Sequence, residues 1–330
     1  MTYADWEVFM VHGPPSVELL DLRKSFGGLV VLDGLTLRVP TGGVHALLGQ
    51  NGAGKTTTVR ILATLTRPDS GTARVAGHDV VRERRRVRRT ISLAGQHAAL
   101  DDGQTGVENL TMLARLAGLR APAARARAAA LLDRFDLADA GGRRVITYSG
   151  GMRRRLDLAA SLVGSPSVIF LDEPTTGLDP RSRQALWEVI GELAGAGVTV
   201  LLTTQYLEEA DRLADRIMVL HGGGLVAEGT AAELKRRFGA QRLELTWRDA
   251  AGLAEAARRL GDRVTHREPA RLALSVATDG SAPQVRSLLD EVDPDRHGVV
   301  RFTVREATLD DVFFTLTGRP VSPEREVAGV

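Results

Sequence analysis

Over the first two thirds of the chain, the pattern of apolar and polar positions predicts strands that are each followed by a helix. Three short apolar runs have the length and composition of buried strands, and a segment with helical periodicity lies downstream of each. The apolar runs are Val44–Leu48, Val168–Leu171 and Val198–Thr203, and the helical segments are Thr56–Leu65, Ser182–Leu193 and Leu207–Leu213. Strands that alternate with helices favour an α/β fold with a largely parallel sheet.

Further elements extend this core on both sides. Val17–Phe26 and Leu35–Val39 are predicted strands ahead of it, and Ile217–Leu220 and Leu225–Glu228 are predicted paired strands after it. Three Ala- and Leu-rich segments are predicted helices: Val107–Leu119, Ala121–Phe135 and Met152–Val163. Residues 1–16 lack periodicity and are interpreted as an N-terminal tail, so the first folded domain is predicted over 17–238.

The pattern changes at Gly239. From there the predicted order is strand, helix, strand, strand, helix, strand and a short final helix. These elements are Arg242–Trp247, Ala250–Leu260, Val264–Arg267, Leu272–Val276, Ala282–Val292, Val299–Val304 and Leu309–Leu316. A βαββαβ order is typical of a small α+β sandwich. Residues 239–330 are therefore predicted to form an accessory domain, which we interpret as a dimerisation or docking module because it shows no recognisable chemistry.

Composition and charge exclude several classes of protein and site. The 330 residues carry 43 Lys and Arg against 41 Asp and Glu, a net charge of +2, which does not predict a nucleic-acid-binding protein. The arginine-rich segment Arg82–Arg89 is interpreted as a solvated face rather than a phosphate or lipid site. The absence of cysteine excludes disulfides and cysteine-based metal sites.

Hydropathy predicts no membrane-spanning segment. No apolar run approaches the ~18–20 residues that cross a bilayer. Asp5 and Glu7 stand near the N-terminus, where a signal peptide has basic residues. We therefore expect a soluble protein, which would depend on another chain for any passage through a membrane.

The strongest motif begins directly after the predicted strand Val44–Leu48. Gly49-Gln50-Asn51-Gly52-Ala53-Gly54-Lys55-Thr56 matches the phosphate-binding P-loop pattern in full. Glycines let the backbone turn its N–H groups toward phosphate oxygens, and the helix that follows directs its positive end at the same anion. In this pattern Lys55 reaches the β- and γ-phosphates and the Thr56 hydroxyl binds Mg²⁺.

A second feature fits the same chemistry. The apolar run Val168–Leu171 leads directly into Asp172 and Glu173. A carboxylate at the carboxyl end of a buried strand is suited to anchor Mg²⁺, so Asp172 is the candidate. The adjacent Glu173 can polarise the water that attacks the γ-phosphate.

Tyr148-Ser149-Gly150-Gly151-Met152, upstream of this strand, matches the signature sequence of ABC ATPases. Together with the P-loop and the two acids, it makes residues 17–238 resemble an ABC nucleotide-binding subunit. The resemblance implies a P-loop ABC cassette with a mixed sheet and a helical subdomain at about 97–163. It also implies Gln96 as the Q-loop glutamine, Asp179 in the D-loop and Phe26 as the ring that stacks on adenine.

The resemblance gives a complete set of expected site residues. The catalytic residues are Glu173 and Gln205, and the metal ligands are Thr56, Gln96 and Asp172. The nucleotide-binding residues are Phe26, Gly49, Asn51, Gly52, Gly54, Lys55, Thr56, Thr57, Gln96, Ser149, Gly150, Gly151 and Asp179. The implied ligands are ATP and Mg²⁺, and the implied activity is ATP hydrolysis coupled to transport.

Four segments are similar to the daunorubicin/doxorubicin-resistance ATP-binding proteins: Leu93–Asp101, Thr105–Leu110, Thr203–Asp211 and Thr308–Phe313. This similarity implies an exporter ATPase for a drug or antibiotic-like compound, peripheral at the cytoplasmic face of the cell membrane and paired with a separate permease. Most ABC ATPases have histidine where this chain has Gln205, and the drug-resistance proteins often have glutamine. An amide can hydrogen-bond the γ-phosphate but cannot carry a proton.

The resemblance also implies a head-to-tail homodimer that holds two ATP molecules, with Ser149, Gly150 and Gly151 supplied by the partner. Other functions stay open at this point. An exporter of lipid or polysaccharide would use the same subunit, because the substrate path lies in the permease. A non-transport ABC ATPase is less favoured, since the chain has one cassette and no nucleic-acid partner is expected. An adaptor with vestigial hydrolysis is the remaining alternative.

Overall fold

The computed structural model describes residues 14–94, 100–239 and 241–318. The chain divides into two units, Met1–Thr230 and Ala231–Val330. In the described part of the first unit the strands are β1 (Val17–Phe26), β2 (Leu29–Val39), β3 (Val44–Leu48), β4 (Ser70–Val75), β5 (His78–Asp79), β6 (Ile91–Ala94), β7 (Val168–Asp172), β8 (Thr199–Thr204), β9 (Arg216–His221) and β10 (Gly224–Gly229). Its helices are α1 (Lys55–Leu62), α2 (Arg84–Thr90), α3 (Gly106–Leu116), α4 (Ala121–Arg134), α5 (Gly150–Ser161), α6 (Pro180–Gly195) and α7 (Leu207–Leu213).

The main sheet has the order β10-β9-β3-β8-β7-β6. Its members pair in parallel except β10, which pairs antiparallel with β9. Every residue of β3, β7 and β8 is buried, which explains why these strands are continuous apolar runs rather than alternating ones. Since parallel strands end at the same edge, the segments that follow β3, β7 and β8 are brought together there.

A second, antiparallel sheet has the order β2-β1-β4-β5. One continuous apolar core joins it to the main sheet, with Leu19 and Leu37 from one and Leu47, Phe170 and Leu201 from the other. The mixed α/β cassette predicted from the sequence is confirmed. Helices α3, α4 and α5 pack against one another and occupy the stretch where a helical subdomain was expected.

Several local elements differ from the sequence prediction. Helix α1 ends at Leu62 rather than Leu65, because Thr64 adopts a left-handed backbone conformation with φ of +62°. Strand β2 begins at Leu29 rather than Leu35. Strands β4 and β5 and helix α2 were not predicted, because each buries few residues and gives little hydrophobic periodicity. In α2 only Val87 is buried, and most of its arginines are exposed.

The second unit contains helices α8 (Ala231–Phe238), α9 (Ala250–Leu260), α10 (Ala282–Val292) and α11 (Leu309–Thr317) and strands β11 (Gln241–Trp247), β12 (Val264–Glu268), β13 (Ala273–Thr278) and β14 (Val299–Arg305). Its antiparallel sheet has the order β12-β13-β11-β14. The predicted α+β order is confirmed. Helix α8 packs on α11, so this unit begins at Ala231, ahead of the boundary expected at 239. None of the helices in the described ranges is long and apolar enough to span a bilayer.

Candidate nucleotide-binding site

The P-loop turns between β3 and α1 as its glycines require. Gly52 and Gly54 have φ of +84° and +103°, in the left-handed region that favours glycine. A Cβ on Gly54 would lie 2.5 Å from the Leu32 side chain, so the loop passes close to β2. Helix α1 begins at Lys55 without a capping side chain, which leaves its first N–H groups directed at the loop.

Lys55 lies inside this loop. Its side chain is 4% exposed, and Nζ donates hydrogen bonds to the carbonyl oxygens of Gly49 at 2.8 Å and Gln50 at 3.2 Å. Nζ is also 3.4 Å from Oε1 of Glu173. Burial lowers the pKa of Lys55, and the charges of Glu173 and Asp172 oppose that shift. The loop therefore holds a buried cation next to two carboxylates.

Asp172 ends β7 and connects three elements. Its Oδ1 accepts a hydrogen bond from the Thr56 hydroxyl at 3.1 Å and one from the Thr203 hydroxyl at 2.6 Å. Thr203 lies opposite Asp172 in the register between β7 and β8. The hydroxyl and carboxylate oxygens expected to bind Mg²⁺ are thus adjacent.

The backbone of Glu173 is left-handed, with φ of +49°, an uncommon conformation for a residue with a side chain. Its N–H donates to the Thr203 carbonyl oxygen at 3.1 Å. The strand pairing therefore continues for one residue beyond β7 while the chain turns. This turn brings the Glu173 carboxylate to Lys55.

The signature sequence begins α5. Ser149 caps the helix by accepting a hydrogen bond from the Met152 N–H at 3.2 Å. Ser149 and Gly150 are exposed, and a Cβ on Gly151 would lie 2.4 Å from Oγ of Ser182. This contact places the signature next to the start of α6.

Asp179 caps α6 by accepting hydrogen bonds from the Ser182 N–H at 2.9 Å and the Ser182 hydroxyl at 2.6 Å. These bonds lower the pKa of Asp179. The D-loop residue Asp179 and the signature residue Gly151 therefore share one neighbour, Ser182.

Gln205 directly follows β8, and a backbone hydrogen bond joins the end of that strand to the P-loop. The Gly49 N–H donates to the carbonyl oxygen of Thr204, the residue before Gln205, at 3.2 Å. Gln205 is half-buried. Of the remaining expected residues, Asn51 and Thr56 are exposed and Thr57 is half-buried.

Phe26 stands at the end of β1 with its side chain half exposed. Lys24 Nζ lies 5.1 Å from the ring centroid, within cation–π range. An exposed aromatic ring has a face available for stacking. Gln96, expected as a nucleotide and Mg²⁺ contact, lies outside the described residues.

Comparisons with known proteins agree with this geometry. Residues 32–176 match the ABC transporter family model, and residues 229–317 match the model of the C-terminal domain of DrrA1-3-like ATP-binding proteins. The daunorubicin/doxorubicin resistance ATP-binding protein DrrA of Streptomyces peucetius is 52% identical over 92% of this chain and 93% of its own length. This chain belongs to the ABC transporter ATP-binding proteins.

Two further similarities define its place in that family. The Nod factor export ATP-binding protein I of Ralstonia nicotianae is 38% identical over 94% of this chain and 96% of its own length. A solved structure titled as the ATP-binding subunit of an ABC transporter matches with a TM-score of 0.61 and 30% identity, over 67% of this chain and 92% of that chain. The chain is therefore an ABC-type ATPase subunit with an accessory C-terminal unit.

The ABC cassette separates the expected site residues into two clusters. One contains Lys55, Thr56, Asp172 and Glu173. The other contains the signature and Asp179. In the described part of the chain, no hydrogen bond or ion pair joins members of one cluster to members of the other. Each cluster presents exposed groups: Thr56 in the first, and Ser149, Gly150 and Asp179 in the second.

Two residues of the site were missed by the sequence analysis. Thr203 orients Asp172, and the Gln50 carbonyl oxygen accepts a hydrogen bond from Lys55. Thr203 lies one residue before the end of β8, an apolar strand like many others, and only its pairing with β7 gives it this contact. No sequence signal could have found it.

Proposed function

We propose that this chain powers the export of a drug or antibiotic-like compound by binding and hydrolysing ATP for a separate membrane permease. The observation that carries the proposal is the greater similarity, over both units, to a drug resistance ATP-binding protein than to a Nod factor export protein. Export of another compound, such as a lipid or polysaccharide, is the second candidate. A location at the cytoplasmic face of the cell membrane follows from the proposed partner.

The first cluster binds the nucleotide. Backbone N–H groups of Gly52 and Gly54 and the open start of α1 bind the phosphates, supported by Gly49, Asn51 and Thr57. Phe26 stacks on adenine. Lys55 now donates to loop carbonyl oxygens, and it would transfer these donors to the β- and γ-phosphates when ATP enters.

Thr56 and Asp172 fit a Mg²⁺ site, because a hydroxyl and a carboxylate oxygen already lie 3.1 Å apart beside the phosphate loop. Gln96 is the third proposed ligand. Bound Mg²⁺ would neutralise charge on the phosphate oxygens. Thr203 keeps the Asp172 carboxylate directed at this position.

Glu173 accepts the proton of the attacking water, since it is the carboxylate nearest the Lys55 ammonium group that binds the γ-phosphate. Gln205 orients the water and the γ-phosphate through its amide. This work is geometric, because an amide does not titrate. Lys55 balances the charge that develops on the phosphate.

A second copy completes each site. Ser149, Gly150, Gly151 and Asp179 would come from the partner of a head-to-tail homodimer that holds two ATP molecules. The exposure of Ser149 and Gly150 supports this role, because their N–H groups and the start of α5 are open to a ligand. Dimer closure on ATP and opening after hydrolysis would give the permease two states to follow.

The test is efflux in cells. The chain would be co-expressed with a candidate six-span permease, and retention of fluorescent doxorubicin would be measured. We expect lower retention only with both proteins, and no lowering with Glu173→Gln. Unchanged retention despite an active ATPase would refute drug export and leave export of another compound.

A further inference from the structure

Glu209 is a buried carboxylate that the proposed nucleotide chemistry does not use. It lies in the first turn of α7, directly after Glu208, which is exposed. Glu209 is fully buried. A carboxylate so far from water is costly unless neighbouring groups bind it, so its contacts indicate what it does.

The contacts of Glu209 reach three segments of the catalytic machinery. The indole Nε1 of Trp187, in α6, donates a hydrogen bond to Oε1 at 3.2 Å. Thr204, at the end of β8, and Thr175, in the loop after Glu173, lie near enough to favour the ionised carboxylate, but Oε2 of Glu209 and the Thr175 hydroxyl have no hydrogen-bond partner among the described residues. Burial raises the pKa of Glu209, and these polar neighbours oppose the rise.

Two cations face the same carboxylate. Arg183, from α6, favours the ionised form of Glu209. Burial lowers the pKa of Arg154, in α5. The negative charges of Asp157, Glu209 and Asp172 oppose this lowering. Arg154 Nε also donates to the Pro174 carbonyl oxygen at 2.8 Å.

The loop around Gln205 is held by neighbours of Glu209. The Thr204 hydroxyl accepts the Tyr206 N–H at 2.9 Å, which closes a turn across Gln205. The Arg183 guanidinium lies 5.3 Å from the centroid of the Tyr206 ring. The Gln205 side chain itself makes no hydrogen bond to any described residue, so its position depends on this turn.

We propose that Glu209 is a positioning residue that acts through Thr204 and Trp187 to hold Gln205 where ATP hydrolysis needs it. This inference rests on the proposed role of Gln205. Glu209 accepts a hydrogen bond from Trp187 of α6, the helix that Asp179 caps, and Thr204, the residue before Gln205, influences the same carboxylate. A shift of α6 relative to β8 would therefore move the amide of Gln205.

The first test compares kcat and KM for ATP of the purified full chain. We expect Glu209→Ala to lower kcat by about 10- to 30-fold, because displacing a catalytic group by ~1 Å costs up to ~10²-fold. KM should stay within about twofold, since Glu209 does not touch the P-loop. Glu209→Gln keeps the shape and an acceptor for Trp187, so it should restore kcat to within about threefold. Glu208→Ala is the matched exposed control and should equal the parent.

The second test repeats Glu209→Ala in a Gln205→Ala background. If Glu209 acts through Gln205, the further loss there should be under about twofold, because contacting groups that share one role are not additive. Trp187→Phe removes the N–H donor together with part of the buried ring, and its several-fold loss of kcat should vanish in the same background. If Glu209→Ala does not fold, Trp187→Phe takes its place in this comparison.

The outcomes separate two ideas. Equal losses in both backgrounds, or a loss that falls on KM, would overturn the positioning role of Glu209 while leaving Gln205 as a catalytic residue. A Gln205→Ala variant with the parental rate would instead refute the proposed role of Gln205, and the inference with it.

Discussion

Replacing Glu173 by glutamine tests the proposed base with the smallest change of shape. The Glu173 side chain is 11% exposed and Oε1 lies 3.4 Å from Lys55 Nζ. Glutamine has the same length and keeps an oxygen for this contact. It cannot take a proton from water, so the substitution removes the chemistry and leaves the geometry.

The expected magnitudes follow from what stays in place. A positioned general base contributes about 10²–10⁴-fold to kcat, which is about 2.7–5.4 kcal/mol of activation free energy. Lys55 stays in the loop next to the Gly49 and Gln50 carbonyl oxygens until ATP takes its donors, and Thr56 keeps its hydrogen bond to Asp172. We therefore expect the Kd for ATP with Mg²⁺ to change less than about threefold.

A pH effect should accompany the change. Glu173 raises the pKa of Lys55 against the lowering caused by burial. Without that charge the pKa of Lys55 falls further, so Lys55 loses its proton at a lower pH. The decline of ATP affinity at alkaline pH should therefore begin at a lower pH in Glu173→Gln than in the parent.

The assays are single-turnover hydrolysis, equilibrium binding of a fluorescent ATP analogue and size exclusion with ATP. Glu173→Gln should remain bound to ATP as a dimer. Asp172→Asn is the contrasting variant, which should lose the Mg²⁺ dependence of binding. Parental hydrolysis by Glu173→Gln would refute Glu173 as the base, and loss of ATP binding would refute the separation of binding from chemistry.

Four further outcomes are expected. Gln205→Ala should lower kcat about 10²-fold, the scale of one transition-state donor, whereas Gln205→His should keep much of the rate and add a pH dependence near 6.5, as rates measured against pH would show. Deleting Ala231–Val330 should leave ATP binding intact in a calorimetric titration and weaken the association of the chain with its dimer partner or the permease. Gly54→Ala should lower the free energy of unfolding by about 2–3 kcal/mol in urea, because its Cβ would meet Leu32 at 2.5 Å. Burial raises the pKa of Glu209, so its folded form holds a proton that the unfolded chain releases at lower pH. As pH rises through the folded pKa, the parent should lose stability relative to Glu209→Gln, and urea unfolding at several pH values tests this sign.

The sequence by itself determined the chemistry of the site and the order of the elements. The P-loop, the Asp172-Glu173 pair and the signature are contiguous segments, and each is recognisable from its own residues. Buried parallel strands also reveal themselves as apolar runs, as β3, β7 and β8 do. Local patterns therefore predicted the fold class of both units.

Elements with weak local signals were decided by packing. The sequence predicted no helix over 231–238 and assigned these residues to the cassette, whereas they form α8, which packs on α11 in the second unit. Strands β4 and β5 form because β1 offers them a free edge to pair with, directly or in succession. These strands bury too few residues to produce a hydrophobic pattern that predicts them.

Tertiary structure alone decided which groups orient the proposed catalytic residues. Thr203 reaches Asp172 because β7 and β8 pair in a particular register. Trp187 reaches Glu209 because α6 and α7 pack side by side. Such contacts join residues that are distant along the chain, and threonine, tryptophan and glutamate in those positions have no periodicity that marks them. They arise when strand register and helix packing are set, because only then does burial make each polar group require a specific partner.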